Sequence, residues 1–255
     1  MTNKKILLTS TAIAGLLFST TSFAQTAKFV GPSFAITGSH VTSSTQSEIY
    51  TNSFGYYTAD YFELGSDSKN SQVSKLLGLD LGYGFNIGTN FVLGVGATYD
   101  FGKTKTGSIY NAAYDDDNSD SVSYIAKSNL KNHRSIYIQP TYVVNKDSAL
   151  FAKVGRHFAK STNDITYCQS DLDYLVGDCN NEDSNETQYK RSKNVSGWGY
   201  GLGVKTFLTE NLFIQAEGSV VNYSKNELLS EDNELVYYGS KPKTTNATIS
   251  VGYKF

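Results

Sequence analysis

The sequence has few residues that break or cross-link a chain, and it has no long apolar run outside its N-terminus. Among 255 residues there are three prolines, two cysteines and one methionine, against 22 glycines, 19 tyrosines and 14 phenylalanines. No internal stretch approaches the roughly 20 apolar residues that a membrane-spanning helix needs. Scarce proline and abundant Ser, Thr and Asn favour one β-domain with long polar loops, without a linker, second domain or internal repeat.

The N-terminus carries the pattern of a secretory signal. Two lysines precede an apolar stretch over residues 6–18, and small residues occupy the two positions that a signal peptidase inspects before a cut after Ala24. The apolar stretch is too short to cross a bilayer as a helix. We expect residues 1–24 to be a cleaved signal peptide and residues 25–255 to form the mature domain.

The last ten residues alternate strictly between apolar and polar side chains, which predicts a strand with one apolar face. A secreted chain whose final strand ends on an aromatic residue resembles the C-terminal signature of bacterial outer-membrane β-barrels. In that family the barrel-assembly machinery reads this segment. The resemblance therefore implies that Tyr253 and Phe255 form an assembly signal.

The same two-residue period recurs along the mature chain and predicts eight strands. Tight turns at 86–90, 145–148 and 209–211 alternate with four connections of about 31, 29, 35 and 19 residues, as in transmembrane β-barrels. Lipid offers no partner for unpaired backbone groups, so such a sheet must close. Residues 48–64 could form another hairpin, which leaves ten strands as an alternative. The predicted strands are 29–41, 73–85, 91–103, 133–144, 149–159, 195–208, 212–224 and 244–255.

Over the mature chain this pattern is similar to that of the small eight-stranded outer-membrane proteins: the OmpA barrel, OmpX and the opacity-type proteins. The resemblance implies an all-β, up-and-down antiparallel barrel in the cell outer membrane, with short periplasmic turns and long extracellular loops. We expect a monomer that contacts outer-membrane lipid and has no nucleic-acid partner.

The interior of an eight-stranded barrel is only wide enough for side chains to fill. Alternation points three carboxylates and three lysines inward, and buried charges are tolerated when they are paired. Lys205 and Glu217 flank the turn at 209–211 and should lie diagonally across one hairpin. We expect a polar plug that keeps the barrel largely closed, and a narrow ion pathway is the alternative. The predicted interior charge network is Asp80, Asp100, Lys153, Lys205, Glu217 and Lys254.

Motifs for catalysis or cofactor binding are weak. The glycine-rich segment 199–203 lacks the spacing and strand-to-helix context of a nucleotide loop. The acidic run at 115–117 lacks the ligand spacing of a calcium loop. His133 shares a strand face with Ser135, but this spacing often arises by chance. We expect no catalytic residue, metal or cofactor.

Cys168 and Cys179 are eleven positions apart in the predicted third long loop. A cysteine pair in an oxidising compartment predicts a disulfide. In the chain-entropy model, closing so small a loop stabilises the fold by about 3 kcal/mol. A zinc site would need two further ligands, and no histidine is nearby in the sequence.

The charges are sorted by their position along the predicted strands. Most acidic residues fall in the long connections, whereas basic residues collect where strands meet them. We interpret this basic rim as facing the phosphates of lipopolysaccharide, to which Lys and Arg form charge-assisted hydrogen bonds. A generic charged boundary is the alternative. The residues predicted to face lipopolysaccharide are Lys103, Lys105, Lys190, Arg191 and Lys193.

The leading functional hypothesis is a non-enzymatic surface protein, a structural component of the envelope whose loops recognise a host or cell-surface ligand. Long polar loops on a rigid scaffold are where recognition is normally located. A small porin is the second hypothesis, and bilayer conductance distinguishes it. An enzyme of the outer rim that modifies lipid A or peptides is the third, and lipid A mass analysis distinguishes that one.

Overall fold

The computed structural model of the protein describes residues 26–52, 71–114, 121–170, 185–228 and 235–255. The predicted signal peptide and the tips of the predicted outer loops lie outside these ranges. Within them, no helix is both long and apolar enough to cross a membrane.

Antiparallel strands form one closed barrel in which each strand pairs with its neighbours in the chain. The register between the first and last strands runs from Ser33 opposite Lys254 to Asn52 opposite Leu235, and this pairing closes the sheet. A three-residue strand continues the seventh after a short break, and both pair with the last strand, so the barrel has eight strands. The elements are a 3₁₀ helix, Ala27–Phe29, and strands β1 Gly31–Asn52, β2 Gln72–Asn86, β3 Phe91–Tyr114, β4 Ser121–Val143, β5 Ser148–Ser170, β6 Asn185–Phe207, β7 Leu212–Tyr223, β8 Asn226–Leu228 and β9 Leu235–Lys254.

The predicted eight-stranded barrel is confirmed, and its three short turns lie where the sequence predicts them. At their outer ends most strands extend further than the sequence predicts. Strands β3 and β4 remain paired as far as Tyr114 opposite Ser121, so most of the connection predicted at 104–132 is a paired hairpin. Above the membrane neither strand face has to be apolar, so the backbone ladder continues where the alternation stops. Residues 48–52, part of the segment that suggested ten strands, are the end of β1.

Apolar side chains cover the outside of the barrel, the reverse of a water-soluble fold. Leu202 and Ile249 are 71% and 68% exposed. This arrangement suits lipid, which surrounds such strands with hydrocarbon. Aromatic side chains edge this apolar belt on both sides, as is typical at membrane interfaces. At the periplasmic edge they are Tyr83, Phe85, Phe91, Tyr142, Tyr253 and Phe255, and at the outer edge Tyr99, Phe101 and Trp198.

The periplasmic end of the lumen is sealed by apolar side chains. Phe29, from the 3₁₀ helix, contacts Phe207 edge-on with ring centroids 5.1 Å apart, and Phe207 lies 5.6 Å from Phe213. A Cβ at Gly84 would collide with the Phe29 carbonyl oxygen, so glycine is needed for the 3₁₀ helix to pack against β2. The periplasmic seal comprises Phe29, Ala35, Val92, Val143, Ala149, Phe207 and Phe213.

An ion-pair clamp holds this helix against the periplasmic turns. Lys28 Nζ donates to Asp147 Oδ1 at 2.7 Å and lies 3.0 Å from Glu210 Oε1. The hydrogen bond from Lys28 lowers the pKa of Asp147. The pKa of Lys28 is raised, first by its hydrogen bond to Asp147 and then by that to Glu210.

We expect this clamp to stabilise the fold modestly and only between those two shifted pKa values. The Asp147 contribution is present above its unfolded pKa and is lost as pH falls through the lowered folded value. The Lys28 contribution is lost as pH rises through its raised folded value. Asp147→Asn should therefore lower the unfolding temperature near neutral pH and make no difference in strong acid. Thermal unfolding of both proteins across pH measures this, and a gap that persists in strong acid would contradict it.

Candidate functional site

A layer of buried charge crosses the middle of the lumen. Lys153, on β5, lies between two carboxylates, with Nζ 2.6 Å from Glu217 Oε2 on β7 and 3.4 Å from Asp80 Oδ2 on β2. The Tyr137 hydroxyl donates to Asp80 Oδ1 at 2.5 Å, and Lys153 Nζ lies 4.3 Å from the centre of the Tyr137 ring. These four side chains, here called the charged layer, tie opposite walls of the barrel together.

Lys205 does not bind Glu217, although the register places the two diagonally. Gln215 lies opposite Lys205, and Gly203 lies opposite Glu217. The Glu217 carboxylate is bound to Lys153, while the Lys205 ammonium lies over a ring of the periplasmic seal, 4.2 Å from the centre of Phe213.

Two further members of the predicted network lie away from the charged layer. Lys254 is at the periplasmic end, where Nζ donates to the carbonyl oxygen of Ala27 at 3.0 Å, so its assignment to the interior network is corrected. It follows the lumen-facing alternation but lies at the end of the last strand. Asp100 binds His133, a partner that the sequence analysis did not pair with it.

Asp100, His133 and His157 form a chain of side chains in the upper lumen. Asp100 Oδ2 meets His133 Nδ1, and His133 Nε2 lies 3.2 Å from His157 Nδ1. A Cβ at Gly199 would collide with the His157 ring, which explains a glycine of the 199–203 series. Asp100 and His133 are directly opposite on β3 and β4, next to a register shift in which Asn132 has φ 53°. That shift is not visible as a sequence pattern.

His133 and Ser135, which share a strand face, do not pair with each other. The Ser135 hydroxyl is 2.6 Å from that of Thr98, and His133 is engaged with Asp100 and His157. His40 lies on the exposed outer face of β1. The acidic run at 115–117 lies outside the described residues.

The lumen contains a small cavity on each side of the charged layer. The upper cavity, of about 60 Å³, reaches His133 and His157, and the lower one, of about 40 Å³, reaches Lys205 and Phe213. Asp80 lines both. Each cavity has room for a few water molecules. A second apolar cluster borders the upper cavity through Leu130 and Tyr223. This outer seal comprises Leu130, Ala159, Val195, Val221 and Tyr223.

Three lysines lie directly opposite one another on adjacent strands just above the outer aromatic edge. Lys103 on β3 is opposite Lys131 on β4, which is opposite Lys160 on β5. We call them the rim lysines. Like charges placed opposite each other in a sheet are destabilising. The Lys103 charge is the first cause of a lowered pKa at Lys131.

The other predicted rim residues divide between the two faces of the sheet. Lys105 continues the exposed face of β3 above Lys103. Lys190 is exposed and lies 3.3 Å from Asp164 Oδ1. Arg191 and Lys193 are exposed but alternate with Lys190, so they share the strand face of buried Val195. The prediction that these two residues face lipopolysaccharide together with Lys190 is therefore corrected.

The predicted disulfide stays a prediction. Cys179 lies outside the described residues, and of Cys168 only its place in β5 is described. Tyr253 and Phe255 are on the lipid face with ring centroids 5.3 Å apart, and their role in assembly is likewise a prediction.

Comparison with protein families gives a match over residues 11–255, to the outer membrane protein beta-barrel domain. The chain belongs to this family. Family membership implies a location in the outer membrane. Comparison with curated protein sequences finds no match.

Solved structures of outer-membrane proteins are similar to this family member at low identity. Ail of Yersinia pestis, solved with the heparin analogue sucrose octasulfate, is 13% identical with a TM-score of 0.38, over 89% of this chain and 99% of Ail. OprG of Pseudomonas aeruginosa is 12% identical with a TM-score of 0.37, over 89% and 96%. The protease OmpT of Escherichia coli is 9% identical with a TM-score of 0.37, over 88% and 97%. Values this low carry no argument about function.

Proposed function

We propose that this outer-membrane barrel is a monomeric, non-enzymatic surface protein, a closed scaffold that holds extracellular hairpins for recognition of a host or cell-surface ligand. The observation that carries the proposal is the combination of a blocked lumen with strands that continue far above the apolar belt. The two tests are bilayer conductance and ligand binding after the hairpins are shortened. We expect no steady conductance and loss of binding.

The contents of the lumen favour a scaffold over a small porin. An ion would have to pass the periplasmic seal, the charged layer and the outer seal in turn. The two cavities are small, and Lys153 and its two carboxylates lie between them. Buried ion pairs with this many contacts are costly to separate.

The engagement of Ser135 with Thr98 supports a non-enzymatic role. A serine nucleophile needs a base within hydrogen-bond reach. His157 lies directly opposite Ser135 in the register, but its ring is paired with His133 while the Ser135 hydroxyl is paired with Thr98. These side chains line the upper cavity inside the lumen, away from large substrates.

The hairpin β5–β6 supports the recognition role. Its ladder continues from Lys160 opposite Asn194 to Gln169 opposite Asn185, above the height of the rim lysines. Binding residues are normally located on projections of this kind, whose base a rigid scaffold holds in place.

We also propose that the rim lysines bind phosphate groups of outer-leaflet lipopolysaccharide. Their side chains project from adjacent strands beside the lipid-facing aromatic edge, at the height of lipid headgroups. A phosphate between them would replace mutual repulsion with charge-assisted hydrogen bonds.

Changing Lys103, Lys131 and Lys160 together to Gln should reduce the lipopolysaccharide that co-purifies with the barrel. In detergent without lipopolysaccharide the same variant should be at least as stable as the wild type, because three opposed charges are removed. Lys146→Gln, on an exposed periplasmic turn, is the control for loss of a lysine and should retain the lipid. Unchanged lipid retention by the triple variant would contradict the proposal.

A further inference from the structure

A groove runs down the lipid-facing surface of the barrel across β7, β9, β1 and β2. Its volume is about 760 Å³, within the range of small-molecule binding sites. Gly38 lies on its floor, directly opposite Leu77 on one side and Ile249 on the other. Neighbouring strands are about 4.7–4.9 Å apart, so a hydrocarbon chain over Gly38 is within van der Waals reach of both walls. The groove therefore has about the width of one acyl chain.

The two glycines of the floor have no reason inside the protein to lack a side chain. Glycine weakens the interior of a strand, and it often marks a place where a ligand approaches the backbone closely. A Cβ at Gly218 would meet nothing within 4 Å, and one at Gly38 would meet only the Ile249 carbonyl oxygen, at 4.0 Å. At Gly84 and Gly199, which face the lumen, a Cβ would instead collide with its neighbours. The groove glycines therefore leave space for something outside the protein.

Two polar side chains lie at the outer end of the groove. His40 and Lys75 are exposed and directly opposite each other. They lie at the height of the outer aromatic edge, since Leu77, two residues from Lys75, is opposite Phe101. Barrel strands are tilted, so the groove descends from this end into the apolar belt as far as Ala216. A positive charge is thus placed where the phosphate of an outer-leaflet lipid lies above its acyl chains.

We propose that this groove binds one acyl chain of lipopolysaccharide, while Lys75 and His40 donate hydrogen bonds to a phosphate of the same molecule. Charge-assisted hydrogen bonds to phosphate are among the strong ones. A second copy of the barrel fits less well, because an isologous contact would set two identical concave surfaces against each other. The site lies on other strands than the rim lysines, so it stands even if those lysines bind no phosphate.

The methyl groups of Ala216 and Ala247, which line the groove, report its occupant directly. The full mature chain, with isotope-labelled alanine methyl groups, is folded in deuterated detergent and titrated with purified lipopolysaccharide. We expect both methyl signals to shift saturably and to show nuclear Overhauser effects from acyl-chain protons. The variant with the three rim lysines changed to Gln should give the same shifts, which separates this site from the rim.

Gly38→Val and Gly218→Val, made together, should fill the groove and abolish the saturable shifts. The double variant should fold, because both added side chains enter free space and valine favours strands. Lys75→Gln should weaken lipopolysaccharide binding in the groove about fivefold, the usual effect of one lysine beside an anionic lipid surface. Ala97→Val, on the exposed face of β3 outside the groove, is the matched control and should leave the shifts unchanged.

Folded material is isolated before each measurement by its heat-modifiable migration. If the double valine variant gives no folded barrel, Lys75→Gln and the wild-type Overhauser effects decide. The proposal is wrong if neither alanine methyl group contacts acyl-chain protons, or if the folded double variant keeps the wild-type shifts. Equal shifts with phosphatidylethanolamine would assign the groove to phospholipid, and contacts between the Ala247 methyl groups of two barrels would assign it to a second copy. Either result overturns the proposal.

Discussion

Replacing Lys153 with methionine should lower the free energy of unfolding by about 3–5 kcal/mol, the usual cost of removing one partner from a buried ion pair. The variant leaves Asp80 and Glu217 in the lumen without the ammonium group that lies between them. Methionine keeps an unbranched side chain, so lost packing contributes little. Urea unfolding of the barrel in detergent measures the loss.

The same variant should weaken the charged layer, one of the three barriers in the lumen. Wild-type protein in planar bilayers should give no large, steady openings, because the charged layer separates the two cavities. Without Lys153, the two carboxylates need water or cations to offset their charge. The periplasmic seal and the outer seal remain in Lys153→Met, so we expect brief cation-selective openings and not the steady conductance of a porin.

Lys205→Met is the matched control within the same lumen. Its ammonium lies over the Phe213 ring instead of between two carboxylates, so its removal should cost far less. Adding Glu217→Gln to Lys153→Met should restore part of the stability by removing one unpaired charge. Equal losses from the two lysine variants, or steady conductance by the wild type, would contradict the role given to the charged layer.

Shortening the outer hairpins should abolish ligand binding and leave the barrel folded. Lys160 and Asn194 are directly opposite on β5 and β6, so an Asn-Gly turn can join them in place of residues 161–193. Lys105 and Asn129 allow the same replacement of residues 106–128 on β3 and β4. Both changes keep the rim lysines, the seals and the charged layer.

Cells that carry the doubly shortened protein should bind host matrix or neighbouring cells no better than cells without it. Heat-modifiable migration should remain, and the free energy of unfolding should change less than in Lys153→Met, because lipid contacts and closed pairing stabilise the barrel. Adhesion by cells that carry only one of the two replacements identifies which hairpin binds the ligand. Undiminished adhesion with both hairpins removed, at equal surface abundance, would leave only the plain envelope role.

The sequence alone was sufficient to predict the barrel within the membrane. In β2, β3 and β9 one face of the strand contacts lipid, and the other face contacts the side chains packed in the lumen. Apolar residues must therefore alternate with small or polar ones along these strands. The short turns were also predictable. They fix the register of the strands that they join, as in Phe207 opposite Phe213. Above the membrane this constraint ends, and so the outer ends of the long strands could not be predicted.

The contacts between side chains in the lumen were decided by the closure of the barrel. Asp80 and Lys153 are 73 residues apart and meet because β2 and β5 face each other across the lumen. The register shift near Gly102 and Asn132 lies between the Asp100–His133 pair and the Lys103–Lys131 pair, so it decides how these two pairs are placed relative to each other. Within each regular stretch the sequence therefore determined which face of a strand each side chain occupies, since that depends on neighbours two residues away. Tertiary structure decided which side chains share a height, because that depends on register shifts and on barrel closure.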